Sequence, residues 1–265
     1  MGLKTNIPRI GLMALEREQK KTKDRMMKYG YCALAAVPMR ASASDRSEMV
    51  NQLLFGDSFI INEVGEKWTY ITTDVDGYSG WVDNKQIVLL AEAEWADVRE
   101  WCVVVPELCA VVDYGGRQPV LPMGSRLPRS YANEFEAAAA VGGVMVVARK
   151  WLGTPYLWGG KTFMGVDCSG FVQVVYRVCG KDLPRDASQQ VMQGVAVADI
   201  SAAQEGDLLF FDNAEGRIIH VGIYMNGGKV IHASGMVRVD SVDAKGIFNE
   251  DINNYTHKLA QIRRL

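Results

Sequence analysis

The sequence predicts an α+β protein in which a small all-β domain precedes a mixed domain of helix and sheet. Between residues 31 and 90, short runs of β-branched and aromatic residues alternate with turn sequences such as SASDRSE and DVDG. This spacing is typical of a small barrel. Further along, FVQVVYRVCG (171–180) has the apolar period of a buried helix, while RIIHVGIYM (217–225) and KVIHASG (229–235), joined by Asn-Gly-Gly, predict a β-hairpin.

Changes in composition divide the chain into four segments, 1–29, 30–90, 91–138 and 139–265. In the first, residues 12–28 predict a short amphipathic helix with a solvated, charged face. The second is the predicted barrel. The third contains QPVLPMGSRLP, with three prolines, and predicts either a second small barrel or a linker. The fourth begins with a helix that its alanine run favours and its Gly142-Gly143 pair weakens.

The composition excludes several classes of function. The chain has 265 residues, of which 48% are hydrophobic, so it can build substantial cores. Its 29 basic residues nearly balance 31 acidic ones, which gives no electrostatic argument for nucleic acid or an anionic membrane as partner. No apolar stretch reaches the 18 residues of a transmembrane helix. We expect a monomer that binds neither nucleic acid nor membrane.

The cysteines bear on the compartment and on metal binding. There are five, irregularly spaced and without a Cys-x-x-Cys pair, so neither a zinc site nor a disulfide scaffold is predicted. The first residues also lack the apolar core of a signal peptide. We therefore expect reduced thiols, no metal or cofactor, and a cytoplasmic location; a periplasmic or extracellular location is the alternative if an export signal precedes this sequence.

Cys168 is the candidate nucleophile. Asp167 before it is a good N-cap, which places Cys168 in the first turn of the predicted helix. Backbone N–H groups and the helix dipole favour a thiolate there, and the thiolate is the reactive form of cysteine. Cys179, near the other end of the same helix, is predicted to be structural.

The predicted hairpin supplies a candidate base for this thiol. His220 and His232 lie twelve residues apart, and a three-residue loop would place both on the same face, opposite or diagonal to each other. We therefore predict His220 as the base and His232 as the residue that orients it. His257 has no such partner in the sequence pattern and is predicted to lie on the surface.

Five linked motifs in segment 139–265 resemble the NlpC/P60 family of papain-like cysteine peptidases. They are GTPYLWGGK (153–161), GVDCSGFVQVVY (165–176), LPRDASQQ (183–190), EGDLLFF (205–211) and HVGIYMNGGKVIHASG (220–235). The resemblance implies a helix carrying the cysteine packed on an antiparallel sheet carrying the histidines. It implies Cys168 as nucleophile, His220 as base, His232 as third polar member and Tyr156 as a donor to the oxyanion.

Residues 36–59 and 67–82 resemble the bacterial SH3-like domain fused to peptidases that trim peptidoglycan peptides. That subgroup cuts the γ-D-glutamyl–diamino acid bond of fragments with a free N-terminal L-Ala, and its SH3-like domain closes one end of the cleft. The resemblance implies Glu48, helped by Tyr78, as partner of the substrate ammonium.

The same resemblance implies further contacts with substrate. Asp167 and Ser169 would flank the L-Ala end, and Arg185 with Asp186 would bind the D-Glu carboxylate or brace the site. Trp158 is interpreted as a wall of the cleft. Ser188 is interpreted as a helix cap, and Arg185 and Asp186 have the alternative of a structural ion pair or cap.

Three functions follow as hypotheses. The first is a cysteine endopeptidase or dipeptidyl-peptidase acting on L-Ala-γ-D-Glu-diamino acid peptides through a thioester. The second keeps the triad but makes the protein a cell-wall amidase or acyltransferase. The third is a peptidoglycan-binding module in which the SH3-like half is a tether. The diamino acid preferred is not determined by these motifs.

Overall fold

A computed structural model of the protein describes residues 27–139 and 143–265. The helix predicted over residues 12–28 lies, except for its last two positions, outside these ranges. Within them, no helix combines the length and the apolar character that crossing a membrane requires.

The first domain is an antiparallel sheet of seven short strands. They are β1 (Tyr29–Tyr31), β2 (Ala36–Arg40), β3 (Met49–Leu54), β4 (Ser58–Val64), β5 (Trp68–Thr73), β6 (Ser79–Asp83) and β7 (Val88–Leu90), in the order β3-β2-β6-β5-β4-β1-β7. Alternate residues of β2 and β5, such as Val37, Met39 and Ile71, are buried in its core. Because each strand buries every second side chain, the alternating pattern of this segment specifies a small sheet with one packed face.

The segment after this sheet folds on a hydrophobic cluster of its own. Its elements are α1 (Glu92–Arg99), β8 (Val103–Val104), β9 (Cys109–Val111), β10 (Val120–Pro122), β11 (Arg126–Leu127), a 3-10 turn (Arg129–Tyr131) and α2 (Ala132–Ala139). β8 pairs with β11 and β9 with β10. Val105, Leu121 and Phe135 pack with Phe55 of the first domain, so the segment is attached to that domain by its core.

The remaining chain forms a mixed helix-and-sheet domain. Its helices are α3 (Gly143–Arg149), α4 (Cys168–Val178) and α5 (Ala187–Gln190), with a 3-10 turn at Ile200–Ala202. Its strands are β12 (Lys161–Thr162), β13 (Gly165–Val166), β14 (Val195–Ala196), β15 (Leu208–Asp212), β16 (Ile218–Met225), β17 (Lys229–Ser234), β18 (Met236–Val242), β19 (Gly246–Asn249) and β20 (Asn254–Arg264). Strands β15 to β20 are antiparallel, and pairing of β19 with β20 closes them into a six-stranded barrel. The α+β prediction is confirmed.

Helix α4 is the buried element that links the site to both domains. The Asp167 side chain accepts a hydrogen bond from the Gly170 amide at 2.7 Å, so the predicted N-cap is confirmed. All eleven residues of α4 are buried, and the helix packs on β16 and β17. Gly180, with φ of 81°, follows its end.

Near the other end of α4, a buried ion cluster joins the two domains. Arg177 Nη1 donates to Asp57 Oδ1 at 2.9 Å, and Lys161 Nζ lies 3.8 Å from Asp57 Oδ2. Burial alone would raise the pKa of the Asp57 carboxyl, but the charges of Arg177 and Lys161 outweigh it and the pKa falls below its usual value. The first domain therefore contributes the carboxylate that neutralises two buried cations of the mixed helix-and-sheet domain, called the third domain below.

Candidate active site

Cys168 lies at the start of α4, where this helix meets strand β16. Its side chain is 5% exposed, and the thiol contacts the backbone amides of Val221 and Ser169. Gly170 allows the first turn of α4 to lie close to the preceding segment, since a Cβ there would lie 2.4 Å from the Gly160 carbonyl oxygen. Because Val221 follows His220 in β16, the nucleophile and the predicted base are placed beside each other.

The expectation of a preformed thiolate at Cys168 differs from the structure. Burial, followed by the nearby charge of Asp167, raises the pKa of the Cys168 thiol to about 12. The amide donors and Arg185 act in the opposite direction and are outweighed. The Cys168 side chain is therefore a neutral thiol, and a reaction that uses its sulfur as nucleophile would need a base to remove the proton.

His220 and His232 form a hydrogen-bonded pair on one face of the sheet. The loop between β16 and β17 has the predicted three residues, and His232 lies opposite Gly222, diagonal to His220. His220 Nε2 and His232 Nδ1 are 2.8 Å apart, and both rings are buried. The structure thus brings together the two histidines that the sequence pattern paired.

Gly222 provides the space that this pair requires. A Cβ on Gly222 would lie 2.6 Å from Val230 Cγ2 and 3.0 Å from His232 Cβ. Since Gly222 is directly across from His232 in the β16–β17 ladder, any side chain there would displace the imidazole.

The site includes an acidic residue that the sequence reasoning missed. His232 Nε2 lies 3.0 Å from Asp240 Oδ2, and Arg238 Nη2 donates to Asp240 Oδ1 at 2.8 Å. The sequence did contain a pattern that indicates this residue. Asp240 is eight residues after His232, and with a single-residue turn at Gly235 this even spacing places both side chains on the same face of the hairpin.

The prediction that His257 is a surface residue is wrong. Its ring stacks on that of His220 with centroids 4.2 Å apart and planes 26° apart. This contact arises because β20 returns to close the barrel, a long-range pairing that no local pattern indicates. Burial, and then the positive charge that His232 would carry when protonated, lower the pKa of His257 to about 4, so its ring is neutral at neutral pH.

These surroundings keep His220 in its basic form. Burial first, and then the like charges that His232 and His257 would contribute, lower the pKa of His220 well below its usual range. A neutral imidazole beside a neutral thiol is suited to general-base catalysis of thiol attack.

Tyr156 is placed to donate a hydrogen bond near the nucleophile. Its amide binds the Gly235 carbonyl oxygen at 2.9 Å, which fixes the residue between the segment before α4 and the β17–β18 turn. Burial, and then the negative charge that Cys168 would carry when ionised, raise the pKa of the Tyr156 hydroxyl to about 12, so it remains protonated.

A cleft of about 500 Å³ runs from Cys168 to the first domain. Its lining residues are Glu48, Val50, Tyr78, Trp158, Asp167, Cys168, Ser169, Arg185, Asp186, Ala187, Ser188, Ile218 and Ile219. Trp158, which is 57% exposed, forms a wall, and its Nε1 donates to Glu48 Oε1 at 2.5 Å. Among the described residues, Glu48 has no cationic partner.

Asp167 and Arg185 form a buried ion pair at the base of the cleft. Arg185 Nη2 donates to Asp167 Oδ2 at 2.5 Å, and Nη1 donates to Asp167 Oδ1 and to the Ser169 hydroxyl. Its Nε donates to Asn51 Oδ1 of the first domain at 2.9 Å. These contacts are those of a brace, the second of the two roles predicted for Arg185.

Three further residues complete the cleft. Asp186 is the N-cap of α5 and is half-buried, and burial raises the pKa of its carboxyl. Ser188 lies one residue into α5 and lines the cleft, so its interpretation as the cap is wrong. Burial raises the pKa of Tyr78 to about 12, with the charge of Asp186 as the next contribution.

In the part of the chain that the structure describes, no three His, Cys, Asp or Glu side chains form a candidate metal site.

Comparison with known proteins agrees with this arrangement. The model of the NlpC/P60 family matches residues 153–255, and that of the bacterial dipeptidyl-peptidase Sh3 domain matches residues 39–87. A γ-D-glutamyl-L-lysine dipeptidyl-peptidase of Bacillus cereus is 27% identical over 231 residues, which span 72% of this chain and 68% of the relative.

Two other relatives extend the comparison. The probable endopeptidase NlpC of Escherichia coli is 35% identical over 131 residues, which span 49% of this chain and 79% of that protein. A crystal structure of an NlpC/P60 family protein from Bacillus cereus has the same fold, with a TM-score of 0.72 at 19% identity over 89% of this chain and 99% of that one. These matches show that the chain belongs to the NlpC/P60 family of cysteine peptidases and carries a bacterial SH3-like domain.

Proposed function

We propose that this protein hydrolyses the γ-D-glutamyl–diamino acid bond of peptidoglycan-derived peptides that have a free N-terminal L-Ala. The supporting observation is the cleft itself, in which a carboxylate of the SH3-like domain, Glu48, faces the same space as the Cys168 thiol. The Bacillus cereus relative is named for cleavage of a γ-D-glutamyl-L-lysine bond, which agrees with this substrate class.

The chemistry proposed for Cys168 begins with proton transfer to His220. The sulfur attacks the γ-carbonyl carbon, an S–C bond forms, and the thiol proton passes to the imidazole. The C–N bond then breaks as His220 returns this proton to the amine of the diamino acid. Water, deprotonated by His220, attacks the thioester, and Cys168 recovers its proton as the S–C bond breaks.

Tyr156 is proposed to stabilise the oxyanion of both tetrahedral intermediates. Its pKa of about 12 keeps the hydroxyl proton in place across the working pH range. A preorganised donor in a water-poor site contributes far more than the same group in water.

Glu48 is proposed to bind the substrate ammonium, with Asp186 and Tyr78 nearby. Within the described chain neither carboxylate is neutralised by a side-chain cation, whereas the adjacent Asp167 is paired with Arg185. The unpaired negative charge of this end of the cleft therefore favours a cationic group on the ligand.

The position of the SH3-like domain supports selection for short, unblocked peptides. Trp158 and Glu48 meet across the domain boundary and limit the cleft at its ammonium end. An N-acetylated peptide lacks the charge, and a glycan-linked peptide also needs space beyond this wall. The same contact argues against a separate tether, because the domain's residues form part of the cleft.

A panel of synthetic peptides tests the proposal. We expect L-Ala-γ-D-Glu-L-Lys and its diaminopimelate analogue to be cleaved to L-Ala-γ-D-Glu and the free diamino acid, as measured by mass spectrometry. The N-acetylated peptides should be cleaved poorly, and Cys168→Ala should abolish turnover. Glu48→Gln should raise KM for free peptides while leaving kcat nearly unchanged.

Other results of this panel would point to the alternatives. Equal cleavage of free and N-acetylated peptides would contradict a role for Glu48 in ammonium binding and favour an amidase or acyltransferase. Full activity of Cys168→Ala would contradict the cysteine mechanism. Binding of intact peptidoglycan without any cleavage would favour the binding module.

We also propose a cytoplasmic location. All five cysteines are free in the structure, which agrees with a reducing compartment. Cell fractionation of the native producer followed by immunoblotting tests this, and recovery in the periplasm or medium would contradict it.

A further inference from the structure

A chain of hydrogen bonds extends behind the catalytic pair to Asp240. His220 Nε2 lies 2.8 Å from His232 Nδ1, and His232 Nε2 lies 3.0 Å from Asp240 Oδ2. We propose that Asp240 is a positioning residue that sets the tautomers of both histidines and so leaves Nδ1 of His220 free to take the Cys168 proton. This inference rests on the cysteine-peptidase function proposed above.

Asp240 is an acceptor with no proton to give. Its side chain is 4% exposed, and it accepts hydrogen bonds from His232 on one oxygen and from Arg238 on the other. Burial acts to raise the pKa of its carboxyl, but these hydrogen bonds outweigh burial and the pKa falls below its usual value. The group is therefore ionised at neutral pH and can only accept.

When both imidazoles are neutral, an obligatory acceptor at one end determines the position of every proton along the chain. His232 must donate to Asp240 from Nε2, so the neutral ring has an unprotonated Nδ1. His220 must then donate from Nε2 to that Nδ1, which leaves its own Nδ1 without a proton. A neutral imidazole has one donor and one acceptor nitrogen, so no other neutral arrangement satisfies all three groups.

The reverse arrangement would disable the base. If a donor replaced the Asp240 carboxylate, His232 would accept on Nε2 and donate from Nδ1. His220 would then accept on Nε2, and its proton would lie on Nδ1, the nitrogen that has to accept from Cys168. Such a site would be folded and complete but would have its proton on the wrong atom.

Arg238 makes this reversal the expected result of an Asp240→Asn substitution. Arg238 Nη2 is a donor 2.8 Å from Oδ1, so it orients the amide oxygen of an asparagine toward itself. The amide NH2 then faces His232 Nε2 and donates to it. We expect kcat/KM of Asp240→Asn to fall by up to about 10,000-fold, the loss that the same tautomer reversal causes in a Ser-His-Asp triad.

The matched variant removes the residue that orients the amide. In the double variant Arg238→Met with Asp240→Asn, the amide can turn its oxygen to His232 and restore the original tautomers. We expect the double variant to regain at least ~10-fold in kcat/KM over Asp240→Asn. A free-energy difference between the two amide orientations equivalent to one pKa unit changes their populations by that factor. Arg238→Met alone should lower kcat/KM much less than Asp240→Asn does, because Asp240 keeps both oxygens as acceptors.

A readout that does not require a substrate separates this inference from the proposed function. Nitrogen-15 chemical shifts of the histidine rings report which nitrogen bears the proton, and the alkylation rate of Cys168 by iodoacetamide reports whether its base is available. The wild type should have the proton of His220 on Nε2, and Asp240→Asn should move it to Nδ1 and slow alkylation.

The outcomes are distinct. Protonation of His220 on Nδ1 in the wild type, or unchanged shifts and alkylation in a folded Asp240→Asn protein, would overturn the inference. A double variant as inactive as Asp240→Asn would also count against it. If the tautomers behave as expected but no peptide in the panel is cleaved, the proposed substrate is wrong and the inference about Asp240 stands.

Discussion

The two sides of the cleft differ in how deeply their side chains are buried and in how many contacts fix them. On the side of the third domain, Cys168, His220 and His232 are buried and each contacts a fixed partner. On the side of the SH3-like domain, Glu48 is exposed and is held by one hydrogen bond from a half-exposed tryptophan. Chemistry requires atoms held within a fraction of an ångström, whereas recognition of an ammonium group tolerates more freedom. We therefore expect changes on the first side to reduce kcat and changes on the second to raise KM.

The largest expected effect comes from breaking the junction between the two sides. Asp57→Asn removes the counter-charge of the buried Lys161 and leaves Arg177 with only the Asp182 carboxylate, 3.4 Å away, and we expect it to lower the free energy of unfolding by about 3–5 kcal/mol. Glu107→Gln is the control, because that carboxylate is 53% exposed and pairs with Lys150 at the surface, where about 0–1 kcal/mol is typical. Urea unfolding measures both. Equal losses in the two variants would show that the buried cluster does not join the domains.

Acid should act on the same junction. The pKa of Asp57 is lowered in the folded state, so its contribution to stability is complete above the pKa of the unfolded chain. That contribution is lost as pH falls through the lower, folded-state value. Asp57→Asn should lack this part of the acid destabilisation, which unfolding curves at several pH values would reveal.

The next largest effect tests how tightly the packing around Gly222 holds the His232 imidazole in place. In Gly222→Ala the new methyl group would lie 2.6 Å from Val230 and 3.0 Å from His232, which displaces the imidazole. We expect kcat to fall by about 100-fold, since ångström-scale misplacement of a catalytic group costs that much. KM should change little. Val230→Ala in the same protein removes the shorter contact and should restore part of the activity; an unaltered kcat in Gly222→Ala would contradict the packing argument.

A smaller effect is expected at the stacked ring of His257. The pKa of His220 is lowered, so the base is neutral and active above that pKa, and activity is lost as pH falls through it. His257→Ala removes both burial and a like charge, so the acid limb of kcat/KM should move upward. A rise of about one unit would reduce activity up to ~10-fold on the acid side. His257→Phe keeps the ring contact and should shift the limb less. Identical pH profiles for all three proteins would exclude this role.

The smallest effect is expected on the recognition side. Trp158→Phe keeps an aromatic wall but removes the donor to Glu48, so the carboxylate becomes freer. We expect KM for free L-Ala peptides to rise about 3-fold, which corresponds to less than 1 kcal/mol and suits an exposed hydrogen bond. Steady-state kinetics measures this, with kcat and the slow N-acetylated peptides as internal references. A loss of kcat would instead place Trp158 among the groups that the chemistry requires.

Local patterns predicted the parts of the site that depend on short stretches of chain. The cap at Asp167 and the three-residue hairpin loop follow from nearest neighbours in sequence, and both are present. His257 and the protonation of Cys168 were mistaken for the same reason, since both depend on burial by distant strands and helices. Asp240 was predictable only in part. Its spacing from His232 indicates the shared face of the sheet, but its burial depends on the tertiary structure and cannot be inferred from the spacing.

The closing of the barrel has a consequence for biosynthesis. β20 spans Asn254–Arg264 and pairs with β15 and β19, and it brings His257 against His220. Contacts between residues so far apart along the chain form late, because the intervening loop must be ordered first. In a nascent chain on the ribosome, Cys168 and His220 are therefore synthesised before β20 docks, and His220 acquires its stacked, buried environment only after that strand has paired.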